Sequence, residues 1–272
     1  MKAHEVISSR QNPRVQALAR LRERGDRRER GVFLVEGFRE LSRALASRVE
    51  MAEIYFCPAL FKNSESHSLL DGAMQRGITL CELGESAFEK VSGREGADGL
   101  LGVAKMWDVS LDVLKLPENP LLLVIEAVEK PGNLGALFRT ADSAGCSALI
   151  CCDPVTDAFN PSVVRASQGA LFSMPFAVST VSTVEAFLRD RNVSVFATAP
   201  AATEVYWAMD FRGASAILLG SEKDGLSESW LTMANVKKIS IPQAGLSDSL
   251  NVATAGAICL YEAVRQRSAT AR

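Results

Sequence analysis

The run Leu121-Leu122-Leu123-Val124-Ile125 is apolar at every position, so a strand formed there has to be covered on both faces. A central parallel strand between layers of helices meets that condition. The sequence around it repeats the required unit. A helical pattern runs through Leu137 and Ala141, a strand over 148–152, helices over 163–168 and 184–191, and a strand over 193–198. Strands at 216–219 and 238–241 and a closing helix over about 250–267 complete the series. Alternation of this kind predicts an α/β fold with a parallel sheet covered on both sides.

The N-terminal third reads as a second, smaller α/β domain. Asn12 caps and Pro13 opens a helix whose apolar positions Val15, Leu18, Ala19 and Leu21 face one way. Strands follow at 32–35, 54–57, 79–81 and 100–105, separated by helical stretches through Leu41, Ala44 and Leu45 and near Leu69 and Phe88. These bound a domain over 1–106, a linker over 107–119 that contains Pro117, and a second domain over 120–272. The formal net charge of -2 conceals a basic arm: Arg10, Arg14, Arg20, Arg22, Arg24, Arg27, Arg28 and Arg30 stand against Glu23, Asp26 and Glu29.

Several function classes are disfavoured. With 47% hydrophobic and 23% charged residues over 272 positions, the chain buries an ordinary core. No apolar run approaches the ~20 residues of a membrane span, and Met1-Lys2-Ala3-His4-Glu5 lacks a signal-peptide core, so a cytoplasmic protein without membrane contact is expected. Cys57, Cys81, Cys146, Cys151, Cys152 and Cys259 contain no Cys-x-x-Cys pair. Reduced, buried thiols are expected, with no metal and no disulfide framework. Neither a Gly-x-Gly-x-x-Gly fingerprint nor a Walker A lysine is present, which weakens the dinucleotide and nucleoside-triphosphate readings.

Three segments concentrate glycines and polar residues after apolar runs and before helical patterns, where loops of open α/β sheets gather to bind ligands. They are Pro131-Gly132-Asn133-Leu134-Gly135-Ala136-Leu137-Phe138-Arg139-Thr140-Ala141, Leu219-Gly220-Ser221-Glu222-Lys223-Asp224-Gly225-Leu226-Ser227, and Ile241-Pro242-Gln243-Ala244-Gly245 running on to Ser249-Leu250-Asn251. In this order they resemble the three signature motifs of the SpoU/TrmH family of the SPOUT superfamily, S-adenosylmethionine-dependent 2′-O-ribose RNA methyltransferases. The N-terminal third is similar to the small substrate-binding domain that many members carry.

The resemblance implies an L30e-like N-terminal domain and a C-terminal SPOUT domain tied as a deep trefoil knot. It implies S-adenosyl-L-methionine held by backbone around Thr198, Gly220, Ile241 and Leu250. Asn133, Arg139, Glu222, Ser249 and Asn251 become the catalytic set. Arg139 clamps a phosphate beside the target ribose, because a guanidinium with a pKa above ~12 is a poor base but a good bidentate clamp. Glu222 orients Asn133 or another polar side chain, and Asn251 combines capping of the last helix with orientation of the ribose. Arg10, Arg14 and Arg28 of the basic arm are expected on RNA, as are Arg165 and Ser167 from Val164-Arg165-Ala166-Ser167-Gln168-Gly169. Ala253, Gly256, Ala257, Leu260 and Tyr261 form a stripe expected in a homodimer contact. Lys130, Ser221 and Gln243 depart from residues common in the family and border the site, so they bear on the substrate more than on the reaction. Structured RNA, ribosomal rather than transfer RNA, is the expected partner. The rivals are a transfer-RNA methyltransferase, a catalytically idle RNA-binding protein of the same fold, and a nucleotide-dependent metabolic enzyme.

Overall fold

The computed structural model describes residues 6–93, 95–233, 235–246 and 249–270. The N-terminal pentapeptide quoted above lies outside the described residues. The chain divides into two compact units, Met1–Trp107 with Asp157–Phe172, and Asp108–Thr156 with Ser173–Arg272.

In the first unit the Asn12 side chain accepts from Arg14 N at 2.9 Å and caps helix α1 (Pro13–Arg20). The arginine-rich arm is two helices rather than one. A break at 21–23 separates α1 from α2 (Arg24–Arg30), which ends at Gly31 with φ of 63°. Strand β1 (Val32–Glu36), helix α3 (Phe38–Ala46), β2 (Met51–Phe56), α4 (Ser66–Gln75), β3 (Thr79–Glu82), α5 (Glu85–Val91) and β4 (Leu100–Lys105) follow. The sheet order is β1-β4-β2-β3, with β2 and β3 parallel and the other pairs antiparallel. Val15, Leu18 and Leu21 of the arm are buried against Leu34, Leu83 and Phe88, as the helical spacing requires.

The second unit starts with β5 (Leu121–Glu126), buried at all six positions, then α6 (Pro131–Ser143) and β6 (Ala148–Cys152). The next stretch, with α7 (Pro161–Ala166), belongs to the first unit. Strand β7 (Phe176–Ser179), α8 (Val181–Asp190), β8 (Ser194–Thr198), β9 (Ser215–Leu219), the short α9 (Glu228–Leu231), β10 (Val236–Ile239) and α10 (Val252–Thr270) complete the chain. Six strands in the order β10-β8-β9-β5-β6-β7 pair in parallel throughout. Val184, Phe187 and Leu188 of α8 and Trp230 of α9 share one core with alternate residues of the strands. On α10, a Cβ added at Gly256 would lie 2.9 Å from Leu219 Cδ1 and 3.0 Å from Leu137 Cδ2, so this helix packs closely on α6 and β9 of its own chain. Gly256 and the buried Leu260 therefore belong to the intramolecular core, whereas Tyr261 is exposed. This corrects the reading of the whole stripe as a contact between subunits.

Three further differences have local causes. The sequence pattern does not mark β7, α2 and α9, which are too short, at four to seven residues, to show a period. Strand β10 ends at Ile239, which leaves Ile241 in the following loop. Residues 107–119 are not a free tether: Trp107 stacks edge-on with Phe33 at 5.8 Å, and Leu111 is buried in the second unit's core.

The stretch Asp157–Phe172 is held in the first unit by a socket assembled from distant residues. The Phe159 ring centroid lies 5.0 Å from Phe33 and 4.8 Å from Trp107, and Phe172 lies 6.5 Å from Phe33. The Asp157 carboxylate pairs with Arg27, whose side chain is 1% exposed. Arg43 Nη1 donates to Gln168 O at 2.7 Å. Replacing a buried phenylalanine by alanine costs about 3–5 kcal/mol. Phe159→Ala is expected to destabilise the protein by that amount, measured as a fall in the urea midpoint with the slope unchanged.

Candidate active site

A cavity of about 490 Å³ opens at the C-terminal ends of β8, β9 and β10. Thr198, Leu219, Gly220, Ile239, Ile241, Ser249 and Leu250 line it, together with the turn that follows β9. The four residues expected at the cofactor, Thr198, Gly220, Ile241 and Leu250, all lie on its wall. Thr198 Oγ1 donates to Leu218 O at 3.2 Å, which fixes the end of β8 against β9.

The turn explains the glycines. Ser221 N donates to Gly225 O at 2.9 Å and Gly225 N to Ser221 O at 3.2 Å, which folds the loop back on itself. A Cβ at Gly220 would lie 2.2 Å from the Gly225 carbonyl carbon, so only glycine permits that closure. Gly225 holds φ of 69°. The wall on this side is therefore backbone.

Beside the cavity, three side chains from the three motif segments form a relay. Asn251 Oδ1 accepts from Ala253 N at 3.0 Å and caps α10, which turns its amide NH2 outward. That Nδ2 donates to Asn133 Oδ1 at 3.1 Å, and Asn133 Nδ2 donates to Glu222 Oε1 at 2.6 Å. Glu222 Oε2 also accepts from Glu129 N at 3.2 Å. The helix end fixes one amide and that amide fixes the next, so each orientation has a single solution. Burial alone raises the Glu222 pKa, but hydrogen bonds from Asn133 and from the backbone of Glu222, Glu129 and Lys130 outweigh it and bring the carboxyl below its ordinary range.

The remaining candidates are dispersed. Asn133 lies in the first turn of α6 rather than in a loop. Arg139 is exposed on the same helix, about 9 Å along the axis from Asn133 and about 120° round it, and it does not line the cavity. Among the described residues its guanidinium has no hydrogen-bond or ion-pair partner. Ser249 is exposed on the cavity rim, and the capping duty falls to Asn251. In the first unit Arg10 and Arg28 are exposed. Arg14 is engaged by Glu53 at 3.3 Å and by the Tyr55 hydroxyl at 3.1 Å. Arg165 lies 3.9 Å from Glu36. Ser167 is corrected: it is fully buried, and its hydroxyl donates to Val164 O at 2.7 Å and accepts from Gly169 N at 3.3 Å, which withdraws it from any RNA phosphate.

One feature escaped sequence reasoning. Glu126, the buried carboxylate that ends β5, accepts from Ser227 N at 2.9 Å and anchors the far end of the β9 loop. A charged residue closing a fully apolar strand was the available signal. Lys130 and Lys223 also line the cavity and add cationic groups to its rim.

Because the Glu222 pKa is lowered on folding, its contribution to stability is present above the ordinary carboxylate range and is lost as the pH falls through the folded value. Glu222→Gln is expected to be less stable than the parent at neutral pH, with the gap closing on acidification below about pH 4. Denaturant titrations across that window measure it; a gap independent of pH contradicts the assignment.

Comparison with known proteins places these loops in a family. The profile described as the SpoU rRNA Methylase family matches residues 120–261, and that described as an MRM3-like substrate binding domain matches residues 12–102. The 23S rRNA (guanosine-2'-O-)-methyltransferase RlmB of Ralstonia nicotianae is 32% identical over 222 residues, covering 79% of this chain and 88% of that protein. A crystal structure of an RNA 2'-O ribose methyltransferase has a TM-score of 0.86 and 36% identity, covering 97% of this chain and 100% of the other. An AdoMet-bound rRNA methyltransferase from Sinorhizobium meliloti has a TM-score of 0.86 at 28% identity, covering 96% and 97%. Since the first match spans more than half of the chain and contains every loop that builds the cavity and its relay, the chain belongs to the SpoU rRNA methylase family.

Proposed function

We propose that this protein transfers a methyl group from S-adenosyl-L-methionine to a ribose 2′-hydroxyl of structured RNA, with ribosomal RNA as its substrate class. One observation carries the reading: the cavity at the strand ends is bordered by a relay, Glu222–Asn133–Asn251, that draws one side chain from each of the three motifs. The residues fit the cofactor. Leu219, Ile241 and Leu250 offer apolar surface to a flat base, and the Gly220 turn presents backbone groups at close range. When bound, the cofactor supplies an electrophilic methyl on a sulfonium. Arg139 is the exposed, unengaged cation on α6, and its fork suits a phosphate flanking the target ribose. There it positions the hydroxyl and stabilises the developing alkoxide, and the proton leaves through phosphate or water.

The same reading assigns RNA binding to the first unit, as an L30e-like domain whose exposed arginines include Arg10 and Arg28, and a deep trefoil knot to the C-terminal segment. It places the protein in the cytoplasm. No described helix is long and apolar enough to cross a membrane, and no group of three or more His, Cys, Asp or Glu among the described residues is arranged for a metal ion.

Arg139→Ala is expected to abolish methyl transfer to ribosomal RNA while S-adenosylhomocysteine affinity, measured by calorimetry, stays within a few fold. Arg139→Lys restores little, because one ammonium does not reproduce a bidentate fork. Near-normal turnover in the lysine variant, or saturable NAD binding with no response to S-adenosylhomocysteine, removes the mechanism.

The exposed face of α10 is proposed as the contact of a homodimer, with Tyr261, 49% exposed, on it. Tyr261→Glu is expected to sediment as a monomer with an unchanged melting temperature, where the parent sediments as a dimer. A parent that is monomeric and active at tens of micromolar rules the contact out.

A further inference from the structure

Among the described residues, four charged side chains line the cavity: Lys130, Glu222, Lys223 and Asp224. Glu222 is spent, with Oε1 on the Asn133 amide and Oε2 on Glu129 N. The other three are exposed, and the methyl-transfer reading leaves them without a task. Lys130 stands immediately before α6, whereas Lys223 and Asp224 belong to the closed turn after β9. The bond from Glu129 N to Glu222 holds the 129–130 backbone against that turn, so the three side chains reach one mouth from two segments.

An anion at this mouth finds little backbone to bind. Ser221 N and Gly225 N are committed to each other's carbonyls, and Asp224 N donates to Ser221 Oγ at 3.0 Å. Glu129 N is taken by Glu222 and Ser227 N by Glu126. The two lysine ammonium groups keep their full donor capacity, three N–H bonds each and no acceptor. Among the described residues neither ammonium has a hydrogen-bond or ion-pair partner, and the same holds for the Asp224 carboxylate. Two cations and one anion thus stand ready beside a wall that is otherwise apolar or closed on itself.

The proposed cofactor has two unlike ends. Its base is flat and suits Leu219, Ile241 and Leu250, while its amino-acid tail carries a carboxylate and an ammonium. We infer that the charged mouth is the seat of that tail, with Lys130 and Lys223 binding its carboxylate and Asp224 its ammonium. The inference rests on the S-adenosylmethionine reading of the cavity and deepens it by naming the side chains that tell a complete tail from a truncated one. A site that pairs both charges of a ligand discriminates against an analogue lacking them, because its own charged groups are then left unpaired.

The test is calorimetry on the full-length protein with S-adenosylhomocysteine, its decarboxylated analogue, and 5′-methylthioadenosine, which lacks the tail. Lys130→Met/Lys223→Met is expected to bind S-adenosylhomocysteine about tenfold more weakly, the low end for loss of a hydrogen bond to a charged group. Its affinities for the decarboxylated analogue and for methylthioadenosine do not fall. Asp224→Asn is expected to weaken both ligands that carry the ammonium and to leave methylthioadenosine unchanged. A lysine variant that loses equally on all three ligands has a reshaped cavity, and that result overturns the seat. Unchanged S-adenosylhomocysteine affinity in the lysine variant overturns it too; a flattened salt dependence of RNA binding in that variant then assigns the lysines to a phosphate. A parent protein that binds none of the three ligands overturns the seat together with the cofactor reading, whereas one that binds all three equally overturns the seat alone.

Discussion

The Asn133 amide is held from both sides, and the site depends on that restraint. Its oxygen receives the Asn251 NH2, itself committed by the cap of α10, and its NH2 is bound to the Glu222 carboxylate. A carboxylate can only accept and a helix N-terminus can only donate, so the two amides between them have no alternative arrangement. The relay joins the start of α6, the loop after β9 and the start of α10, three segments that the sequence keeps far apart. Closure of the β9 loop over Gly220 supplies the remaining wall without a side chain.

A second restraint operates in the first unit. The buried pair Arg27–Asp157 and the rings of Phe33, Trp107, Phe159 and Phe172 hold a segment that falls between two strands of the parallel sheet in sequence. Breaking a buried pair strands an unpaired charge, and truncating one ring leaves a void among the others. Residues 157–172 are for that reason integral to this unit. A deletion of the N-terminal third would strip the socket from a segment that belongs in it. Single substitutions of charged residues separate RNA binding from folding more cleanly than truncation does.

The cysteines contribute to packing. All six are buried and outside any disulfide, and burial pushes the thiols of Cys146, Cys151 and Cys259 up to about 12. Thiols so protonated are weak nucleophiles and weak metal ligands. The rim of the cavity carries the chemical variety instead, with Lys130, Lys223 and Asp224 at the mouth and Gln243 beyond β10.

What was legible in the sequence was whatever depends on local periodicity or backbone necessity. The all-apolar run of β5 demanded cover on both faces, the strand–helix alternation demanded parallel pairing, and Gly220, Ile241, Leu250 and Thr198 all line one cavity beyond the strand ends. Tertiary structure alone decided the rest. Ser167 carries the same hydroxyl whether exposed or buried, and only packing showed that its hydrogen bonds are spent on its own turn. Gly256 and Leu260 belong to a stripe that suits a partner helix and an internal one equally, and Leu137 and Leu219 fill the place opposite Gly256. Arg139 and Asn133 share one helix but not one face, a consequence of six residues of helical twist. Asp157 and Phe159 joined the first unit because their partners, Arg27 and Phe33, lie more than a hundred residues upstream. Pairings at that separation follow from the closure of the whole chain, which no local pattern of residues encodes.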